Sequence, residues 1–245
     1  MKKDIGNYST LTFDCYGTLI DWESGIWDAM QPLIAANGVT AIDRQAGLQA
    51  FAVIESAEQA SNPGMLYPQI LGNVHSKLAQ QFNLNTSDQL DREFGRSVQY
   101  WPAFADTADA LRLLKRHFKL VILSNVNRDG FASSNRKLGV EFDAIYTAED
   151  VGSYKPNTDN FRYMLSHIQT DLGVAKDQIL HTAQSLHHDH VPATEFGLAR
   201  AWIDRQHLRD SENWGATARV ENRPEIDFYF SSMMEMARYA EERFG

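Results

Sequence analysis

From Trp101 onward the sequence alternates short β-rich runs with helical stretches, and that rhythm most limits what the chain can fold into. The β-rich runs lie at residues 118–123, 142–147, 178–183, 198–203 and 226–230. Helical patterns separate them: one begins after Asp106, its expected N-cap, and runs through Leu111 and Leu114; one spans residues 160–168; one ends at Gly197; a last one closes the chain. Strands alternating with helices imply a parallel sheet with helices on both faces. One further run, residues 8–13, ends at Asp14 and is followed by Gly17, which permits a turn. After it the pattern changes. Ile26, Trp27, Met30, Leu33 and Ile34 recur at helical spacing up to Asn37-Gly38. Leu66, Ile70, Val74, Leu78 and Phe82 make a second stripe, and Leu90, Phe94 and Val98 a third. The expected architecture is therefore α/β: a core of residues 1–19 and 100–245, with an all-helical insertion at 20–99.

In such sheets ligands bind beyond the carboxyl ends of the strands, near a topological switch point. The expected strand ends carry Asp14, Ser124-Asn125 and Gln184 with the segment to Asp189; Lys155 lies in the loop Gly152-Ser153-Tyr154-Lys155-Pro156. Each has an ordinary structural explanation: a turn cap for Asp14, a solvated loop for Lys155, a turn for Ser124 and Asn125, a helix N-cap for Asp189. Taken together they are a chemical set. A carboxylate nucleophile needs a nearby cation to hold it ionised, Lys155 could supply it, Asp189 could hold Lys155, and Ser124 and Asn125 could donate hydrogen bonds.

Four ordered segments, Phe13-Asp14-Cys15-Tyr16-Gly17-Thr18-Leu19, Val121 to Ser124-Asn125, Tyr154-Lys155-Pro156, and Ser185 to Asp189 leading to Gly197, resemble those of the haloacid dehalogenase superfamily of hydrolases over nearly the whole chain. The resemblance implies a Rossmann-like core with a helical cap inserted after the first strand. Family phosphatases usually carry a second aspartate two residues after the nucleophile, as general acid, and an acidic residue five positions before the last aspartate, for Mg²⁺. Here those positions are Tyr16 and Gln184. A departing halide needs no proton, so the pattern is similar to the 2-haloacid dehalogenase branch, acting without a cofactor; Mg²⁺ would belong only to a phosphatase reading. The implied catalytic residues are Asp14 as nucleophile, Lys155 and Asp189 as its charge partners, and Thr18 and Ser124 as hydrogen-bond donors. Tyr16, Asn125, Trp22, Tyr67, Gln184 and Phe161 are the implied substrate contacts, with Asn125 on the leaving-group side.

Three positions depart from the branch. Its cap arginine has no convincing counterpart, since Arg44 sits in a different context; Phe161 stands where a tyrosine is expected and Leu186 where an asparagine is expected. These leave open a substrate other than a haloacid, such as azetidine-2-carboxylate or a small phosphate ester, or a non-catalytic binding protein of the same fold. His187, His188 and His190 beside Asp189 invite a metal reading, but adjacent ligands cannot all face one ion, so no metal is expected. Cys15, the only cysteine, excludes an internal disulfide and is expected to be packing. Trp22, Trp27, Tyr67 and Trp101 are expected to divide between core and pocket wall. The net charge of −9 argues against nucleic acid, and no apolar run is long enough for a bilayer. The expectation is a cytoplasmic enzyme for a small carboxylic acid, in which the 66–82 stripe could serve a homodimer contact.

Overall fold

The computed structural model describes residues 3–38, 42–211 and 214–245. Six parallel strands form one sheet: β1 (Thr10–Phe13), β2 (Lys119–Ser124), β3 (Ala144–Thr147), β4 (Ile179–Ala183), β5 (Ala199–Ile203) and β6 (Phe228–Phe230). Their order across the sheet is β3-β2-β1-β4-β5-β6. The chain thus builds outward from β1 through β2 to β3, returns to lay β4 on the other side of β1, and continues to β6. Phe13 pairs with Ile122 on one side and Thr182 on the other, so β1, β2 and β4 end at a common level. That level, at the reversal of strand order, is where a ligand site is expected.

The inner strands β1, β2, β4 and β5 are buried on both faces, which explains their near-continuous apolar character. Alternation still sorts the side chains. Leu120 and Ile122 of β2 join the cluster that includes Leu111 and Leu114 of α5 (Thr107–Lys115) and Met236 and Ala237 of α10 (Met233–Phe244). Val121 and Leu123 join the opposite cluster, with Met164 and Ile168 of α8 (Asp159–Leu172) and Ala193 of α9 (Val191–Glu195). The remaining core helices are α6 (Arg128–Leu138) and the short α7 (Ala148–Val151).

The inserted segment contains α1 (Trp22–Ala36), α2 (Arg44–Ser61), α3 (Tyr67–Gln81) and α4 (Asp88–Gly95), then a 3-10 turn at Ser97–Tyr100. Asp21 and Asp43 start α1 and α2 by accepting from the Ser24 and Ala46 N–H groups. The chain leaves and re-enters the core side by side: the Asp21 N–H donates to Pro102 O at 2.8 Å and the Phe104 N–H to Leu19 O at 3.2 Å. Two local expectations are modified. Asp106 holds the N-cap position of α5 as expected, but its side chain makes no capping hydrogen bond, because the carboxylate is taken by Arg205 at 3.0 Å and the Met234 N–H at 3.1 Å. Asp189 is not a helix cap. It lies inside a π-helical turn, Leu186–His190, which Ser185 caps by accepting from the His188 N–H. Among the described residues no helix is long and apolar enough to cross a membrane.

Candidate active site

Asp14 follows β1 directly, its N–H held by Thr182 O at 3.1 Å. The chain then turns at Gly17, whose φ of 97° suits glycine. A Cβ there would also lie 3.1 Å from Gln184 Oε1 and 3.3 Å from Trp22 Nε1. The turn brings Thr18 back over Asp14. Its hydroxyl donates to Asp14 Oδ2 at 2.7 Å and accepts from the Gln184 N–H at 2.9 Å, tying the end of β1 to the end of β4.

Lys155 is 1% exposed and spends all three ammonium protons: on Asp14 Oδ1 at 2.9 Å, Asp189 Oδ1 at 2.7 Å and Leu123 O at 2.9 Å. Asp189 Oδ1 also accepts from His181 Nε2 at 3.1 Å, while His181 Nδ1 accepts from the Thr12 hydroxyl at 2.8 Å. Asp189 Oδ2 is buried with no hydrogen-bond partner among the described residues. Two buried carboxylates therefore share one ammonium. Burial holds Asp14 above the usual carboxylate range against the pull of Lys155, with the Asp189 charge adding to the rise. Burial works against Asp189 as well, but Lys155 and the His181 hydrogen bond overcome it and hold this carboxyl well below its ordinary value. Lys155 is held above the ordinary lysine value, the two carboxylates outweighing its burial.

These groups open on a cavity of about 100 Å³ whose wall includes Asp14, Tyr16, Trp22, Tyr67, Asn125, Lys155, Gln184 and Asp189. The Tyr16 hydroxyl bonds Ser134 at 2.9 Å, and its ring meets Trp101 edge-on. Trp22 packs against Phe51, and Tyr67 stands between Trp101 and Tyr154. The Gln184 amide nitrogen is occupied by Gln206 at 3.1 Å and Thr217 at 3.2 Å.

Three expected roles change. Ser124 is buried but makes no side-chain hydrogen bond among the described residues, to Asp14 or to another group, and is not part of the cavity wall. Asn125 reaches the wall with its amide already committed: Oδ1 accepts the Lys155 N–H at 2.7 Å and Nδ2 donates to Lys155 O at 2.9 Å. It clamps the backbone that delivers the lysine. Phe161 is fully buried away from the cavity, edge-on to His181 at 5.0 Å, so it backs the histidine that supports Asp189.

Sequence reasoning missed four contributors. Phe51, Glu55 and Gln59 line the cavity from α2; their i, i+4, i+8 spacing was the available signal. Burial raises the Glu55 carboxyl to about 7. His181 was hidden as one polar residue in a strand, although Thr12 and His181 are register partners. Of the histidine cluster, His188 lines the cavity, its Nδ1 3.1 Å from Ser185 Oγ, and burial lowers it to about 4. His190 is buried against Ala183 O. Arg44, at the start of α2, is not among the residues lining this cavity. Cys15 is fully buried, which pushes its thiol well up.

Among the described residues no three His, Cys, Asp or Glu side chains gather as a metal site. The donors do not fit Mg²⁺ either: Asp14 and Asp189 both give Oδ1 to the Lys155 ammonium, and Gln184 supplies a neutral amide in place of a further carboxylate.

Residues 8–181 match the profile of the haloacid dehalogenase-like hydrolases. An (S)-2-haloacid dehalogenase of Pseudomonas putida is 26% identical over 212 residues, covering 82% of this chain and 86% of that protein. Another from Pseudomonas fluorescens is 30% identical over 126 residues, covering 50% and 53%. In three dimensions the chain is similar to the L-2-haloacid dehalogenase of Xanthobacter autotrophicus with chloropropionic acid covalently bound. The TM-score is 0.77 and the identity 17%, over 96% of this chain and 98% of the other.

Proposed function

Because the chain belongs to the haloacid dehalogenase-like hydrolases, we propose that it displaces halide from C2 of a small 2-haloacid through an ester on Asp14, giving the 2-hydroxy acid. The observation that carries this reading is the Asp14 carboxylate at the wall of a small cavity, with one oxygen on Lys155 and the other on Thr18. That is an aligned anion in a site where charges act strongly.

A carboxylate oxygen of Asp14 attacks C2 opposite the halogen. The new C–O bond forms as the C–halogen bond breaks, and the halide leaves with the bonding pair, needing no proton. Whichever oxygen attacks, the other keeps its donor, Lys155 or Thr18, so the ester carbonyl is polarised by a group already in place. Ester formation removes the Asp14 charge, and Lys155 is then balanced by Asp189 alone. Water adds to the Asp14 carbonyl carbon and the bond from that carbon to the substrate oxygen breaks. Asp189 Oδ2 and the neutral imidazole of His188 are two acceptors in the wall for the proton released. The product keeps an oxygen that began on Asp14, and C2 is inverted.

The test is halide release from 2-chloropropionate by the wild type and by Asp14→Asn, with single turnover in ¹⁸O-water. Release only by the wild type, with label entering Asp14 and not the product hydroxyl, supports the ester. Release at the mutant's rate, or label going directly into the product, overturns it.

A further inference from the structure

Lys155 has no proton left for a substrate, and the charges facing the cavity do not favour a simple anion. Asp14, Asp189 and Lys155 sum to one negative charge, and the cap adds Glu55. Among the described residues no arginine lines the wall. Glu55 is firmly placed. Its Oε1 accepts from the Tyr67 hydroxyl at 2.6 Å and from Gln59 Nε2 at 3.0 Å. Gln59 Oε1 in turn lies 3.5 Å from Asn125 Nδ2, on the clamp around Lys155. Oε2 makes no hydrogen bond among the described residues. A carboxyl with one oxygen fixed and one free, facing a small cavity, is a receptor for a hydrogen-bond donor, best for a cation.

We propose that Glu55 sets the substrate preference of this site by binding an ammonium group on the carbon next to C2, so that amino-bearing 2-haloacids are preferred over purely apolar ones. The inference rests on the reading of the site as one for displacement at C2. The ammonium makes the substrate a zwitterion and removes the net repulsion between its carboxylate and the cavity. Glu55 is also the wall group that titrates near neutral pH. Tyr16 and Tyr67 are held well above the ordinary tyrosine value by burial, and Tyr154 is raised as well. His188 is lowered to about 4, and Asp189 and Lys155 stay charged. Asp14, raised yet paired with Lys155, is the remaining carboxyl. With Glu55 at about 7, an ammonium ligand draws off its proton, and binding tightens as pH rises from 6 to 8.

The experiment has two arms. In the first, kcat/KM for 3-amino-2-chloropropionate is compared with that for 2-chlorobutyrate, which puts a methyl group where the amine stands. The wild type should prefer the amine by about tenfold or more, chiefly through KM, and Glu55→Gln should lose most of that ratio. The second arm uses inert ligands, 3-aminopropionate and butyrate, titrated by calorimetry at pH 6 and 8. The amine should bind about tenfold tighter in the wild type, more so at pH 8, and Glu55→Gln should lose both effects. Equal affinity for the two ligands, or a preference unchanged in Glu55→Gln, overturns the proposal whether or not halide is released. Absence of halide release with selective binding intact would sink the dehalogenase reading alone.

Discussion

Replacing Lys155 with methionine keeps the length and apolar bulk of the side chain and removes one charge. The ammonium makes three hydrogen bonds, at 2.9, 2.7 and 2.9 Å, and is the shared counter-charge of two buried carboxylates. Removing one partner of a buried ion pair costs about 3–5 kcal/mol, because the other is left uncompensated. At about 2–4 °C per kcal/mol for a chain of this size, the melting midpoint should fall by roughly 6–20 °C at pH 7. The pH dependence identifies the cause. Without Lys155, one carboxyl, Asp14 first since burial already raises it, must be protonated in the folded state. A group whose folded pKa is raised binds more protons folded than unfolded, so the variant gains stability as pH falls, up to about 1.4 kcal/mol per pH unit. The wild type does not gain equally. Its Asp189, held below the usual range, contributes stability that is complete above about pH 4 and lost only below it. Urea midpoints at pH 7 and pH 5 should therefore converge. Single-turnover ester formation, measured well below the melting range, should slow by about 10²–10³ as the nucleophile loses its partner. A variant within about 1 kcal/mol of wild type at pH 7, or a gap that widens toward pH 5, would refute this account.

For the wild type, kcat/KM should fall on the acid side through an apparent pKa above the ordinary aspartate value, since the proposed nucleophile Asp14 must be the anion and burial raises it; a limb at or below the ordinary value would contradict that environment. Thr18→Val removes the donor to Asp14 Oδ2 and leaves the Gln184 N–H unpaired, so it should cost about 1–3 kcal/mol in urea unfolding and lower kcat more than it raises KM. His181→Leu leaves Asp189 Oδ1 to Lys155 alone and should move the acid limb of the pH profile, which a purely packing role would not do. Gly25→Ala would put a methyl carbon 2.3 Å from the Trp101 ring; the tryptophan would have to shift, at about 1–3 kcal/mol, and because it lines the cavity KM should change as well.

The core was legible because its signals are local. Each strand announces itself as an apolar run, and Asp14, Lys155 and Asp189 stand beside strand ends or turns that the sequence marks with Gly17, Pro156 and Gly197. What could not be read depended on partners far along the chain. Ser124 and Phe161 occupy expected positions, yet Ser124 Oγ has no partner among the described residues and Phe161 packs behind His181. Whether such a side chain faces a cavity depends on a few degrees of backbone and on its neighbours. Helix α2 was hidden for another reason. Its alanines, glutamines and glutamates make a weak apolar stripe, so the face carrying Phe51, Glu55 and Gln59 looked like an ordinary polar one.

This division has a chemical counterpart. The groups proposed to make and break the ester come from the core, and they largely engage one another: Thr18 and Lys155 on Asp14, Lys155 and His181 on Asp189 Oδ1. A set so engaged keeps its geometry, and with Asp189 Oδ2 as its unpartnered, buried oxygen it has little hydrogen-bonding capacity left with which to tell one substrate from another. Discrimination must therefore come from groups with a free valence, and in this cavity the cap helix supplies one in Glu55 Oε2. Core motifs can then persist unchanged while one residue on α2 redirects the enzyme, and the motifs identify the reaction without naming its substrate. On this reasoning, exchanging Glu55 for glutamine should alter which acid is preferred without altering the fate of ¹⁸O at Asp14.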